Sequence, residues 1–272
     1  MCDTCGCGHD EVKIIDGDFE NEKLHQNDHT LHDHHHHGHL HHDHHHHSYD
    51  HSHHHETIPI EMDVMLANNL MAERNRGYLE AKGIMTYNLV SSPGSGKTTL
   101  LEKWIAKVRD QQKVYVIEGD QQTSHDAMRI QKAGARAIQI NTGKGCHLDA
   151  GMVNRAIKIL QPEANSILFI ENVGNLVCPA LFDLGEQKRI VIFSVTEGDD
   201  KPLKYPMIFK GSDICIINKI DLLPYVEFDM ERAKENAMKV NHHLEIIEIS
   251  ATKNQGMDAF ISSQLINANS IK

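Results

Sequence analysis

The sequence predicts an α/β fold with a mainly parallel sheet and helices on both of its faces, preceded by a disordered tail rich in cysteine and histidine. Two observations lead to this fold class. From residue 61 onwards, helical stretches alternate with short runs of Val, Ile and Leu that are typical of buried strands. Residues 9–56, by contrast, show no hydrophobic period, so they cannot bury a core and are predicted to be disordered without metal.

The predicted elements follow in the order of the chain. Apolar runs predict strands at Tyr87–Val90, Val114–Ile117, Ala137–Ile140, Ile167–Ile170, Ile190–Val195, Ile214–Ile217 and Leu244–Ile249. Most of them are separated by helical stretches, for example Thr98–Arg109, Asp149–Leu160 and Glu227–Val240, and such alternation favours parallel pairing. A first helix, Glu61–Lys82, is predicted to be amphipathic, with an apolar face of Val64, Leu66, Leu70, Met71 and Leu79.

Composition divides the 272 residues into a cysteine head (1–8), a His-rich tail (9–56) and a P-loop-type domain (57–272). The formal net charge of −11 argues against a nucleic-acid partner, because phosphate binding requires an excess of Lys and Arg. No apolar run is long enough to span a membrane, and the N-terminus lacks a secretory signal pattern. Three of the six cysteines lie within the first seven residues, which suits thiolate ligands in a reducing compartment better than disulfides. A cytoplasmic protein is predicted.

The His-rich tail is interpreted as a metal-binding segment. Histidine accounts for 18 of the 31 residues from 25 to 55, and Asp residues interrupt the runs. Neutral imidazole is the commonest ligand for borderline divalent metals, and Asp adds oxygen donors. A purification tag or an inert linker is the alternative, but a tag is usually one short uninterrupted run, and this tract is long and irregular.

The cysteine head is a second candidate metal site. Cys2, Cys5 and Cys7 can surround one ion with three thiolates, and the amine of Met1, if retained, offers a fourth donor. A square-planar set of this kind suits Ni²⁺ and a tetrahedral one suits Zn²⁺, so the metal stays open. The Cys-x-x-Cys pair could instead be a redox pair, but it does not open a helix as thioredoxin-like pairs do.

A phosphate-binding loop follows the first strand of the domain. Residues 91–99, Ser-Ser-Pro-Gly-Ser-Gly-Lys-Thr-Thr, match the P-loop pattern except that Ser91 replaces the usual Gly. Lys97 is predicted to neutralise the β- and γ-phosphates, and Thr98 to bind Mg²⁺. The candidate phosphate-binding residues are Gly94, Ser95, Gly96, Lys97, Thr98 and Thr99.

A second motif predicts that the base is guanine. Asn218-Lys219-Ile220-Asp221 ends a predicted strand, and in GTPases the Asp of this pattern accepts hydrogen bonds from the guanine N1–H and amino group. Adenine cannot supply those donors, so GTP and GDP are favoured over ATP. Ser250-Ala251 follows the last predicted strand, where GTPases place a loop over the guanine oxygen. The candidate base-binding residues are Asn218, Lys219, Asp221, Ser250 and Ala251.

Carboxylates after two other strands are candidates for Mg²⁺ binding and catalysis. Glu171 opens Glu-Asn-Val-Gly, which resembles the Asp-x-x-Gly switch of GTPases with Glu in place of Asp. Asp120 could bind Mg²⁺ or orient the attacking water, or it could simply cap the next helix. With Thr98 they form the candidate Mg²⁺ set, and with Lys97 the candidate catalytic set. Asn175 stands where a water-orienting Gln would follow the switch, which predicts slow hydrolysis.

Two cysteines and a histidine in the domain form a third candidate metal site. Cys146 and His147 follow one predicted strand, and Cys178 lies seven residues after Glu171. Loops at the same end of a parallel sheet can bring two thiolates and an imidazole to one cation. The alternative is that these are ordinary buried residues. Cys215 lies inside an apolar strand and is predicted to be core.

Taken together, four segments resemble the HypB family of GTPases that insert nickel into hydrogenase. They are residues 91–99, 118–121, 143–149 and 171–179. The resemblance spans residues 57–272, and the cysteine head and the His-rich insert occur in some members. It implies a nucleotide-promoted homodimer, a Ni²⁺ or Zn²⁺ site at Cys146, His147 and Cys178, and dimer contacts at Leu222 and Val226.

The resemblance also implies partners: a HypA-like nickel chaperone and the large-subunit precursor of [NiFe]-hydrogenase. The related urease GTPases use Cys-Pro-His as metal ligands, whereas here Ala180 follows Cys178 and Pro179, which disfavours that assignment. Three functions therefore stand side by side: a GTP-gated nickel metallochaperone, a nickel store with an incidental GTPase domain, and a regulatory GTPase whose tail senses metal.

Overall fold

The computed structural model describes residues 13–16, 60–120, 125–143 and 145–269, and eight strands in these ranges form one sheet. The strands are β1 (Lys13–Asp16), β2 (Met85–Ser91), β3 (Val114–Asp120), β4 (Arg136–Asn141), β5 (Ile167–Gly174), β6 (Lys188–Ser194), β7 (Ile214–Asn218) and β8 (Glu245–Glu248). The helices are α1 (Ile60–Ala81), α2 (Lys97–Val108), α3 (His125–Ala133), α4 (Ala150–Leu160), α5 (Lys201–Lys204), α6 (Pro206–Lys210), α7 (Met230–Val240) and α8 (Met257–Asn269).

The predicted α/β fold class is confirmed. The strand order is β1-β4-β3-β5-β2-β6-β7-β8, and all neighbours from β4 to β8 pair in parallel. Each of the seven predicted strands overlaps one of β2–β8, and the four predicted helices correspond to α1, α2, α4 and α7. In the described part of the chain, no helix is long and apolar enough to cross a membrane.

One segment of the His-rich tail differs from the prediction. Lys13–Asp16 forms β1 and pairs antiparallel with β4, with Lys13 opposite Asn141 and Asp16 opposite Ile138. An edge strand leaves N–H and C=O groups unpaired, so even a short segment can add to it. The cysteine head and the remainder of the tail lie outside the described residues.

Both faces of the sheet are covered by helices. On one face Trp104 of α2 lies between Tyr87 and Phe169, with ring centroids 4.9 and 4.8 Å away, and Phe260 of α8 packs against it at 4.7 Å. On the other face, apolar side chains of α1 and α4 cover β3, β4 and β5. Because side chains alternate along a strand, a sheet buried on both faces requires continuous apolar runs, as the sequence shows.

The apolar face predicted for α1 is wrong at its exposed leucines and valine, although Leu79 is buried as predicted. Leu66 and Leu70 are 59% and 66% exposed, and Val64 is also exposed. The buried positions have the spacing of another helical face and are Asn68, Ala72, Asn75 and Leu79. The Asn68 side chain accepts from the Ala150 N–H at 2.9 Å, and Asn75 donates to the Ala150 carbonyl at 2.9 Å. Hydrogen bonds of these two asparagines therefore hold α1 against α4. A search for apolar residues alone does not find a buried face that contains asparagine.

The order of the strands determines where a ligand can bind. The chain moves from β2 towards β3 and β4 on one side, and later to β6, β7 and β8 on the other. At the carboxyl edge of the sheet, the loops that follow β2 and its neighbours therefore lead in opposite directions. Ligands of open α/β sheets bind at such a point.

Candidate nucleotide and metal sites

The P-loop connects β2 to the first residue of α2, Lys97. Gly94 and Gly96 have φ angles of +73° and +95°, in the region that favours glycine. A Cβ on Gly96 would lie 2.5 Å from Asn218 Nδ2, so glycine is also required here by the close approach of another element. The predicted phosphate loop thus has the backbone conformation that its glycines allow.

The base motif is bonded directly to the P-loop. Asn218 donates to the Ser95 carbonyl at 2.8 Å, and the Lys219 ammonium donates to the Gly94 carbonyl at 2.7 Å. The Asn218 side-chain oxygen accepts from the Ala251 N–H at 3.1 Å, and Ser250 Oγ donates to Asp221 at 2.6 Å. All five candidate base residues therefore lie together beside the phosphate loop.

Glu171 lies at the centre of the predicted Mg²⁺ set. Its Oε1 accepts from Thr98 Oγ1 at 2.6 Å and lies 3.3 Å from Lys97 Nζ. Its Oε2, together with Ser95 Oγ and Glu118 Oε2, is buried without a hydrogen-bond partner among the described residues. Buried polar atoms are normally satisfied, and carboxylate and hydroxyl oxygens are the donors that Mg²⁺ prefers. This donor set fits Mg²⁺ and phosphate.

Glu118 is a site residue that sequence reasoning missed. It lies opposite Glu171 in the register of β3 and β5 and is 2% exposed. Burial, together with the nearby carboxylates of Glu171, Asp126 and Asp120, raises the pKa of Glu118 to about 8. The signal was present in the sequence, since Glu118 precedes Asp120 by two residues and so points to the same side of the strand.

Replacing Glu118 with glutamine is expected to stabilise the nucleotide-free protein. A carboxyl whose pKa is raised in the folded state takes up a proton on folding, so its stability contribution is lost as pH rises from its unfolded pKa towards 8. The advantage of Glu118→Gln should therefore grow by ~3 kcal/mol between pH 5 and pH 8. Urea unfolding at a series of pH values, without Mg²⁺ or nucleotide, measures it. Parallel pH profiles for the two proteins would contradict the assignment.

The structure places Asp120 at the end of β3, where its carbonyl accepts from the Thr142 N–H at 3.0 Å. The first described residue of α3 is His125. A second acid, Asp126 of α3, lies 3.4 Å from Thr98 Oγ1 and pairs with Arg129 at 2.9 Å. Arg129 also donates to Thr99 Oγ1 at 3.3 Å. Sequence reasoning missed Asp126 because the helix signal of α3 is weak.

Cys146, His147 and Cys178 come together, as their loops predict. The sulfur atoms of Cys146 and Cys178 lie 2.6 Å apart, and Cys146 Sγ lies 3.7 Å from His147 Nδ1. All three ligand atoms lie within 4.8 Å of one another, and each residue is half-buried. None of the three cysteines of the described domain forms a disulfide. Two sulfurs and one imidazole at the surface can hold a borderline cation and leave room for a further ligand.

The surroundings of this cluster favour metal binding. Burial lowers the pKa of His147, which keeps the imidazole in its neutral, ligating form. Its ring stacks on Phe182, with centroids 3.9 Å apart, so its orientation is defined. Cys178 opens a short 3₁₀ helix, Cys178–Ala180. Cys215 is buried in β7, as predicted, and burial raises the pKa of its thiol.

The chain is similar to known proteins in both sequence and structure. Residues 85–248 match the family described as CobW/HypB/UreG, nucleotide-binding domain. The hydrogenase maturation factor HypB of Rhizobium leguminosarum bv. viciae is 55% identical over 203 residues, which cover 75% of this chain and 68% of that protein. The chain belongs to the HypB family. HypB of Escherichia coli strain K12 is 54% identical over 205 residues, covering 75% of this chain and 71% of its own.

Two solved HypB structures also resemble this HypB-family chain. HypB from Archaeoglobus fulgidus has a TM-score of 0.70 and 38% identity, and the match covers 75% of this chain and 99% of the other. HypB from Helicobacter pylori, solved in complex with nickel, has a TM-score of 0.71 and 39% identity, with 75% and 96% coverage. The resemblance seen in the sequence motifs is thereby confirmed.

Proposed function

We propose that this chain is a GTP-hydrolysing nickel metallochaperone that delivers Ni²⁺ to the large-subunit precursor of [NiFe]-hydrogenase. The observation that carries the proposal lies in β5. This strand carries Glu171, which contacts Lys97 and Thr98, and the chain reaches Cys178 of the metal cluster seven residues after it. The name of its relatives, hydrogenase maturation factor, and the nickel complex of the Helicobacter pylori protein support the same function.

GTP binds across the P-loop in this proposal. Lys97 neutralises the terminal phosphates, and the N–H groups of the loop and the start of α2 donate to their oxygens. Asp221, aligned by Ser250, accepts from the guanine N1–H and amino group. Thr98, Glu171 and Asp120 would hold Mg²⁺, which when bound supplies positive charge against the phosphates. Glu118 supports this set from the neighbouring strand position.

Intrinsic hydrolysis should be slow. The position after Gly174 is Asn175, and its amide is occupied by the metal-site loop. It donates to the Cys146 carbonyl at 3.4 Å and accepts from the Val177 N–H at 2.8 Å. No side chain at this position is therefore available to orient the attacking water. A second subunit or a partner would complete the site.

The cargo site consists of Cys146, His147 and Cys178 and takes Ni²⁺ or Zn²⁺ in this proposal. Cysteine thiols stay reduced, and so able to bind metal, in a reducing cytoplasm, where we place the protein. Val177 and Leu181, on either side of Cys178, are 58% and 50% exposed apolar residues. They suit a nucleotide-promoted homodimer that covers the metal site. Metal would pass between this protein, a HypA-like chaperone and the hydrogenase precursor.

Nickel storage is a second proposed activity, which the composition of the tail favours. Eighteen histidines between residues 25 and 55, and the thiolates of Cys2, Cys5 and Cys7, offer ligands for several ions without any nucleotide. Storage and delivery are compatible because the tail and the domain are separate segments of the chain.

The test is a nickel titration in two nucleotide states. It uses the full-length variant Cys2→Ser/Cys5→Ser/Cys7→Ser, in which the domain cluster supplies the thiolate-to-nickel absorption and the tail contributes only imidazole. We expect the nickel affinity reported by this absorption to differ about tenfold between GDP and a non-hydrolysable GTP analogue, both with Mg²⁺. Coincident curves would overturn GTP gating and leave storage as the better account.

A further inference from the structure

The residue after the metal ligands of the Cys146 loop is wedged between the two strands that carry the nucleotide-site acids. Leu148 is fully buried, and it lies directly over Gly119 of β3. A Cβ on Gly119 would come within 2.8 Å of Leu148 Cγ and 2.9 Å of both its methyl carbons. Gly119 separates Glu118 from Asp120, so the Leu148 side chain rests on the backbone that fixes both carboxylates.

The backbone of Leu148 is held by the other acid-bearing strand. Its N–H donates to Asn172 Oδ1 at 3.2 Å, and the same oxygen accepts from the Val173 N–H at 3.0 Å. Asn172 is 1% exposed and follows Glu171 directly. Its amide donates to Asn88 Oδ1 at 3.4 Å, which fixes it to the central strand β2. A buried, bonded amide of this kind has one low-energy orientation.

Leu148 therefore contacts both acid-bearing strands of the nucleotide site, one through its side chain and one through its N–H. On its other side it is joined covalently to His147 and, one residue further, to Cys146. We infer that Leu148 and Asn172 are the positioning residues that connect the nucleotide site to the metal cluster. A packed core responds to a shift of a strand end by displacing its neighbours, because it contains little empty space.

The connection works in both directions. If the nickel affinity differs by some factor between the GDP and GTP states, bound nickel must change the ratio of the GDP and GTP affinities by the same factor. This inference rests on the proposed function, since it concerns how GTP gating is transmitted. It assigns the transmission to two residues that bind neither metal nor nucleotide.

The experiment compares further substitutions in the full-length Cys2→Ser/Cys5→Ser/Cys7→Ser protein, which is the parent protein of the test. Nickel affinity is measured from the thiolate-to-nickel absorption, with GDP and with the GTP analogue, and the ratio of the two affinities is the readout. Leu148→Ala and Asn172→Ala should each reduce a ratio of about ten to below about three. Leu148→Met, which keeps the side-chain volume, should restore it. The matched control is Leu160→Ala, a fully buried leucine of the same core cluster at the last position of α4.

The outcomes separate the two hypotheses. If the parent protein shows no difference between nucleotides, the proposed gating fails. If the parent protein is coupled and both Leu148→Ala and Asn172→Ala retain the full ratio, the inference fails while gating stands. Loss of the ratio in Leu160→Ala as well would reduce the effect to general destabilisation and overturn the assignment. Should Leu148→Ala not fold, Asn172→Ala carries the test. Titrations of fluorescent GDP and of the fluorescent GTP analogue, each with and without nickel, must then give the same factor as the ratio of their two nickel effects.

Discussion

Replacing Asp221 with asparagine is expected to lower the affinity for GTP about 1,000-fold and to create affinity for xanthosine triphosphate. The carboxylate accepts two hydrogen bonds from guanine in the proposed pocket, and an amide presents a donor where an acceptor is required. Losing charged hydrogen bonds and leaving a buried donor unpaired costs about 4 kcal/mol, which is about three orders of magnitude in Kd. Xanthine carries a carbonyl oxygen in place of the guanine amino group, so it matches the amide.

Titration of fluorescent GTP and xanthosine triphosphate analogues measures both affinities. The matched control is Ser250→Ala, which removes the 2.6 Å hydrogen bond to Asp221 but keeps the carboxylate. It should weaken GTP binding modestly and give no gain for xanthosine triphosphate. Unchanged GTP affinity in Asp221→Asn would mean that the base binds elsewhere, whatever the likeness of the motif.

The sheet could be predicted from the sequence because its strands are buried on both faces. Runs such as Ile214–Ile217 and Ile167–Ile170 contain no polar face, and only a parallel sheet covered on both sides accommodates them. The phosphate loop and the base motif could be predicted for a related reason. The chemistry of each motif requires fixed residue types at short spacing, so each can be read from its own short stretch of chain.

What the sequence could not reveal depends on contacts between distant segments. The spacing of Glu118 from Asp120 is visible in the sequence, but its position opposite Glu171 follows only from the register of β3 and β5. The docking face of α1 depends on Asn68 and Asn75, whose partners on α4 lie 82 and 75 residues away. Burial of these amides is favourable only because each has a hydrogen-bond partner. The hydrophobic pattern of α1 alone does not indicate those partners. The same is true of Leu148, whose proposed role depends on its contact with Gly119 of β3.

Replacing Cys146 and Cys178 together with alanine is expected to lower nickel affinity at the domain site at least 100-fold and to abolish hydrogenase maturation. The variant keeps only His147 of the three clustered donors. Even the loss of a residue that merely supports a metal ligand costs about 10–100-fold in affinity, so the loss of two ligands costs more. The thiolate-to-nickel absorption in the Cys2→Ser/Cys5→Ser/Cys7→Ser background measures the affinity. Hydrogenase activity in cells that lack their own copy measures maturation.

The control for this double substitution is Cys215→Ala, since Cys215 is a fully buried cysteine of the same domain and is not one of the clustered metal ligands. It should lower stability and leave nickel binding intact.

Nickel held by the His-rich tail should be the same in all variants, because imidazole ligands do not depend on the domain cysteines. This separation decides between the two proposed activities. If maturation survives in Cys146→Ala/Cys178→Ala while the tail remains loaded, the tail supplies the metal directly and the GTPase domain does not gate it. If maturation is lost while the tail is full, stored nickel must pass through the domain cluster before it can be delivered.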